Sequence, residues 1–176
     1  MRVVRLEGRR KGASLPFRWG VVISLIVVLG ICLFIWSRLG LEMVISNQKT
    51  GEVYLKRQVS VDDMMTYKWI HSFEHIPWYE DFRIKGVANM DLEETRVAGF
   101  GAGIPENQGA VTVSNGMVVS TDIHKRFDHI QWINSQTALQ YIAINDEVVI
   151  KGSEMPHHEP LQLKIERRFY LWRKPH

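Results

Sequence analysis

Cysteine is almost missing from this chain. Cys32 is the only one among 176 residues, and it lies inside a long apolar run. The remainder therefore has no thiol for a disulfide, a cysteine-ligated zinc site or a nucleophile. Sortase-like and papain-like chemistry are excluded on that ground. No GxSxG elbow and no HExxH pair occurs, which removes the familiar serine-hydrolase and zinc-protease signatures. The glycine cluster Gly99-Phe100-Gly101-Ala102-Gly103 lacks the Lys-Ser/Thr of a phosphate loop. Outside the apolar run there is no capped helix-period stripe, no internal repeat and no low-complexity tract.

Basic charge is scarce wherever a folded domain can form. Residues 1–40 carry seven Arg or Lys against Glu7, whereas residues 41–176 carry 15 basic and 18 acidic residues, a net of −3. The overall charge of +3 thus belongs to the N-terminus, and a nucleic-acid partner is not expected.

What is abundant is apolar length in one place. Trp19 to Trp36 encloses GVVISLIVVLGICLFI without a charge, enough to span a bilayer as a helix. Tryptophan at each end suits the two interfaces, and the preceding basic cluster keeps the N-terminus inside. A cleaved signal peptide is the competing reading. Ser37-Arg38-Leu39 is a poor cleavage site for it, and Ile31 before Cys32 is too large for a lipobox. The chain therefore reads as a basic cytoplasmic N-terminus (1–18), a transmembrane anchor (19–36), a juxtamembrane linker (37–42) and an extracytoplasmic β domain (43–176).

Within that domain, short alternating segments are separated by turn residues. Strands are expected at Met43–Ile45, Val53–Val59, Met65–His71, Trp78–Ile84 and, more weakly, Asn89–Val97. Val111–Ser114 and Met117–Thr121 flank Asn115-Gly116, a strong hairpin signal. Phe127–Ile133 reads as one strand. Leu139–Ile144 and Val148–Lys151 read as a hairpin turning at Asn145-Asp146, with Tyr141, Ala143, Val148 and Ile150 on one face, and Leu161, Leu163 and Ile165 mark the last strand. Eight to ten strands of this kind mean an all-β sandwich or partly closed barrel.

The stretch His71-Ser72-Phe73-Glu74-His75-Ile76-Pro77-Trp78-Tyr79-Glu80 carries the most chemistry. A turn centred between His75 and Ile76 would set Trp69 opposite Phe82, Tyr67 opposite Ile84 and His71 opposite Glu80 on one apolar face. A carboxylate beside an imidazole orients it and favours its charged form, so the pair is a candidate ligand site, with Ser72 supplying a hydroxyl. A register-fixing polar pair is the alternative.

His71-Ser72, Glu74, Pro77 and Glu80, followed by the Gly99–Gly103 loop, resemble the bacterial family called domain of unknown function eighteen-fifty. The resemblance extends over roughly residues 43–167. It implies an extracytoplasmic accessory role beside a TAXI-type TRAP transporter, whose permease or solute-binding protein would be the partner. It implies no assigned activity and no cofactor.

Other chemistry is thinner. A metal site can be assembled only from His71, His75, Glu80 and the His157-His158-Glu159 run, with convergence assumed. Adjacent strand residues face opposite ways, so His71 cannot readily activate Ser72, and a hydrolase is the least supported class. Gly101 and Gly103 offer a backbone-lined rim for an anion. Arg167, Arg168, Arg173 and Lys174 read as a solvated basic tail, or as a contact with lipid headgroups. An interaction module and a small-molecule or ion-binding domain remain the two leading classes.

Overall fold

The computed structural model describes residues 17–71, 74–99 and 109–170. One helix, α1 (Phe17–Arg38), forms a unit separate from the β-rich remainder that begins at Leu39. Its Trp19–Trp36 segment has a mean hydropathy of 2.7 over 18 residues, about 27 Å at 1.5 Å per residue. It is long and apolar enough to cross a membrane, and a signal sequence passes the same test. Leu25, Ile26, Val27 and Val28, at successive steps of about 100°, lie on different sides of this helix and are all exposed. A helix apolar all round has no solvent face to offer.

The rest is two antiparallel sheets. The smaller has the order β2-β1-β12-β9, built from β1 (Leu39–Asn47), β2 (Val53–Val59), β9 (His129–Ile133) and β12 (Pro160–Phe169). The larger contains β3 (Met64–Ile70), β4 (Pro77–Gly86), β5 (Asn89–Val97), β6 (Ala110–Ser114) and β7 (Met117–Thr121). To these it adds β8 (Lys125–Phe127), β10 (Leu139–Ile144) and β11 (Glu147–Ile150), in the order β11-β10-β3-β4-β5-β7-β6 with β8 also on β5.

Alternation dictates the core between the sheets. Met43, Ile45, Leu161, Leu163 and Ile165 line the inner face of the small sheet. They meet Met65, Tyr67, Phe82, Ile84, Met90 and Ile142 from the large one. Each such fully buried side chain contributes roughly 1.5–3 kcal/mol against exposure. Tyr67 joins the layers, edge-on to Trp132 of β9 at 5.8 Å and to Phe82 at 5.9 Å. The all-β sandwich expected from the strand pattern is the fold observed.

Several local expectations change. Twelve strands are described instead of eight to ten. Leu39–Glu42, read as linker, are strand, paired with Glu166–Phe169. The single strand expected at 127–133 divides around Asp128, β8 joining β5 and β9 joining β12. A bulge between Ile142 and Ala143 pairs Ile150 with Ile142 and Val148 with Ala143. Ile150 therefore joins the core while Val148 is exposed, because the extra residue of a bulge exchanges the faces of the residues beyond it. Both expected two-residue turns are present, with positive φ at Asn115, Gly116, Asn145 and Asp146, as the type I′ geometry requires.

Candidate functional site

The β3–β4 register differs from the expected one. Trp69 pairs with Trp78, Tyr67 with Glu80 and Met65 with Phe82, so His71 is not opposite Glu80. The cause is a six-residue connection in place of a tight turn. His71 N–H donates to Ile76 C=O at 2.9 Å, and His75 N–H donates back to His71 C=O at 2.9 Å. His75 takes φ of 56°, and Pro77, which has no N–H to give, opens β4 at its first position. The faces are unchanged, because only an odd slip exchanges them.

His71 and Glu80 nevertheless line one opening. Trp69, Ile70, Trp78 and Ala138 complete a cleft of about 300 Å³ at the loop end of the β3–β4 pair. The His71 ring stacks on Trp78 with 5.9 Å between centroids and 11° between planes. Its Nδ1 accepts the Glu74 backbone N–H at 3.3 Å, so in the neutral imidazole the proton sits on Nε2. Among the described residues no ion pair joins His71 to Glu80. Trp69 Nε1 donates to Glu80 at 3.3 Å. The Trp78 indole N–H is buried without a partner in bonding geometry, yet its nearness still favours the Glu80 carboxylate.

Burial raises the Glu80 pKa above its ordinary 4.5, and the two indole N–H groups and Lys125 offset part of that rise. Tyr67, across the ladder, is pushed well above its usual 10.0, first by burial and then by Glu80. A carboxyl whose pKa is raised on folding keeps its proton in the folded state while the unfolded chain has released it. Stability therefore falls as pH rises from 4.5 through the folded value, and the full cost persists above it. Glu80→Gln is accordingly expected to stabilise the protein at pH 7.5 and to leave it unchanged at pH 4. Urea unfolding of the full-length chain in detergent at both pH values measures this. An equal effect at both would rule out a desolvated carboxylate.

The glycine loop begins against this site. Ala98 N–H donates to Pro77 C=O at 3.1 Å, and a Cβ on Gly99 would stand 2.7 Å from Ile76 Cδ1 and 3.7 Å from Glu74 Oε2. Ser72, Gly101 and Gly103 lie outside the described residues. Of the metal candidates, His75 is exposed at the loop, and His157 and His158 stack on each other at 3.7 Å in a different turn. That turn uses them structurally: His157 Nδ1 accepts Gln136 N–H at 3.2 Å, and His158 N–H donates to Asn134 C=O at 2.8 Å. Among the described residues no three His, Cys, Asp or Glu side chains gather to hold a metal.

A second concavity of about 410 Å³ lies on the outer face of the large sheet. Its two arginines are already paired. Arg83 forks onto Glu93 at 2.6 and 2.7 Å, which holds Glu93 below the usual carboxylate range. Arg96 reaches Asp81 at 2.6 Å and Glu94 at 3.2 Å, while Thr66 also donates to Asp81. Alternation along β4 puts Asp81 and Arg83 on its polar face and says nothing more of them. The pairing partners come from β5, and alternation within one strand does not disclose them.

Fold and cleft together define a β-sandwich domain with a small aromatic-walled opening beside its core, preceded in the chain by one apolar helix. Residues 65–150 match the model of a family described as a domain of unknown function, DUF1850. The match runs from the second residue of β3 to the end of β11. It takes in β9 and all of the large sheet but Met64, omits β1, β2 and β12, and is shorter than the 43–167 expected. No curated protein and no solved structure matches the chain.

Proposed function

We propose that this protein is a single-pass membrane protein, N-terminus inside, whose β-sandwich works outside the cytoplasmic membrane as an accessory to a TAXI-type TRAP transporter. The observation that carries the anchor is the uncharged Trp19–Trp36 helix, with a mean hydropathy of 2.7 over 18 residues. Six Arg or Lys precede it, which orients it by the positive-inside rule. The transporter association rests on the family resemblance of the His71–Glu80 stretch and the glycine loop, and the 65–150 match supports that family.

Crosslinking in intact membranes, with a C-terminal tag, tests this. A TRAP-type permease or its solute-binding protein is expected to co-purify. Leu25→Arg with Leu29→Arg should move the protein out of the membrane fraction, each arginine costing about 2.5–3.5 kcal/mol near a helix centre. Recovery of a shortened, released chain would establish a cleaved signal instead. Recovery of no transporter component, at near-native abundance, would remove the accessory role.

A second reading has its own support. The cleft holds a partly buried carboxylate with one long hydrogen bond among the described residues, an arrangement that costs stability unless a ligand completes it. On this reading the domain binds a small molecule or ion at His71 and Glu80, and no catalytic step is required.

A further inference from the structure

We infer that the β3–β4 cleft takes the head of a small organic ammonium ion, bound to the Glu80 carboxylate and seated on the indoles of Trp69 and Trp78. This deepens the binding reading above and rests on it. An ionised carboxylate accepts about four hydrogen bonds. The one side-chain donor bonded to Glu80 among the described residues is Trp69 Nε1, at 3.3 Å, long for a bond to an anion. Among the described residues no Lys or Arg lines the cleft, and none forms an ion pair with Glu80; Lys125 acts on it only through its charge. Positive charge in hydrogen-bonding contact with Glu80 is what the described lining has room for and does not supply.

The walls fit the same ligand. One face of Trp69 is taken by Tyr67, stacked at 5.4 Å and 17°, and one face of Trp78 by His71, while both indoles border the cleft. Indole faces attract cations, and Ile70 and Ala138 offer apolar surface to a short alkyl chain. About 300 Å³ lies at the lower end of ligand pockets, so a head with a few carbons fills it. A small organic anion would meet Glu80 with no cation among the described lining residues. A metal would find too few donors among the described residues.

The test uses the full-length chain in nanodiscs and three isosteric probes: butylammonium, butyrate and butanol. Calorimetry gives affinity, and the indole N–H resonances of Trp69 and Trp78 locate the binding. Butylammonium is expected to bind with a dissociation constant of roughly millimolar, to shift both indole signals, and to lose at least tenfold in Glu80→Gln. Nα-acetyllysine amide separates the sources of the head. Equal affinity assigns it to a partner's lysine, and weaker affinity to a free amine. Tighter binding of butyrate or butanol at the same indoles would overturn the ammonium assignment and keep the binding reading. Undiminished butylammonium binding by Glu80→Gln would also overturn it. Silence from all three probes in folded protein would overturn both.

Discussion

Gly152→Ala is expected to lower the stability of the β domain by about 3 kcal/mol or more, a fall of roughly 10 °C in Tm for a domain of this size. Gly152 opens a single 3-10 turn, Gly152–Glu154, between β11 and β12. It is buried, and a Cβ there would stand 2.2 Å from Leu139 O and 2.9 Å from Leu139 Cβ. The obstacle is the backbone of β10, not the end of a flexible side chain. Relief requires moving either the turn or a strand that also pairs with β3, next to the Trp69 and Ala138 wall of the cleft. Thermal unfolding followed by circular dichroism in detergent reads the loss. A variant melting within 2 °C or so of the parent would mean that β10 yields easily, and the cleft would then lack a rigid wall.

The same neighbourhood shows how much of the fold was legible in the sequence. Alternation placed Leu161, Leu163, Ile165, Met65, Tyr67 and Phe82 on inner faces, and all six are buried there. Two-residue turns announced themselves through Asn115-Gly116 and Asn145-Asp146, because few residues tolerate positive φ at both positions. Pairing did not follow from alternation. An even slip between β3 and β4 leaves every side chain on its own face, so His71 opposite Glu80 and Tyr67 opposite Glu80 look identical in sequence. Pro77 was the available signal, since a proline is tolerated at the first residue of a strand. Asp128, between Phe127 and His129, gave no comparable sign that β8 and β9 part to different sheets.

The candidate site was half legible for the same reason. His71 and Glu80 were named from polarity on an apolar face, and they line one cleft. Trp69 and Trp78 were read only as apolar filling, although their indole N–H groups favour the Glu80 carboxylate. Side-chain direction within a strand is local and readable; a hydrogen-bond partner on the next strand depends on register and is not. Asn134 is the extreme case. Nothing near it in sequence marks it, because the bonds its Nδ2 donates lead 18 to 22 residues ahead.

Asn134→Asp, a change of one terminal atom, is expected to cost about 4 kcal/mol or more at pH 8. Asn134 is fully buried. Its side-chain Nδ2 donates to the carbonyls of Gly152 at 3.1 Å, Met155 at 3.3 Å and Pro156 at 2.9 Å. Its Oδ1 accepts Trp132 Nε1–H at 3.4 Å, which fixes which end of the amide is which. Its backbone N–H donates to Glu159 C=O at 2.9 Å. One residue thus ties β9, the 3-10 turn and the entry to β12. An aspartate would turn an oxygen toward three carbonyl oxygens. Its ionised form has no donor to offer them, so folding favours the protonated form and raises the carboxyl pKa. The folded variant then holds a proton that the unfolded chain has released, and the deficit relative to the parent widens as pH rises. Urea unfolding at pH 5 and pH 8 measures both the size and the slope. A deficit that is small and flat with pH would show water reaching these carbonyls, and the turn would no longer count as a clamp. A deficit that grows with pH, with lost amide protection in β9 and at the start of β12, would make Asn134 the residue that holds the two sheets in step at this end of the sandwich.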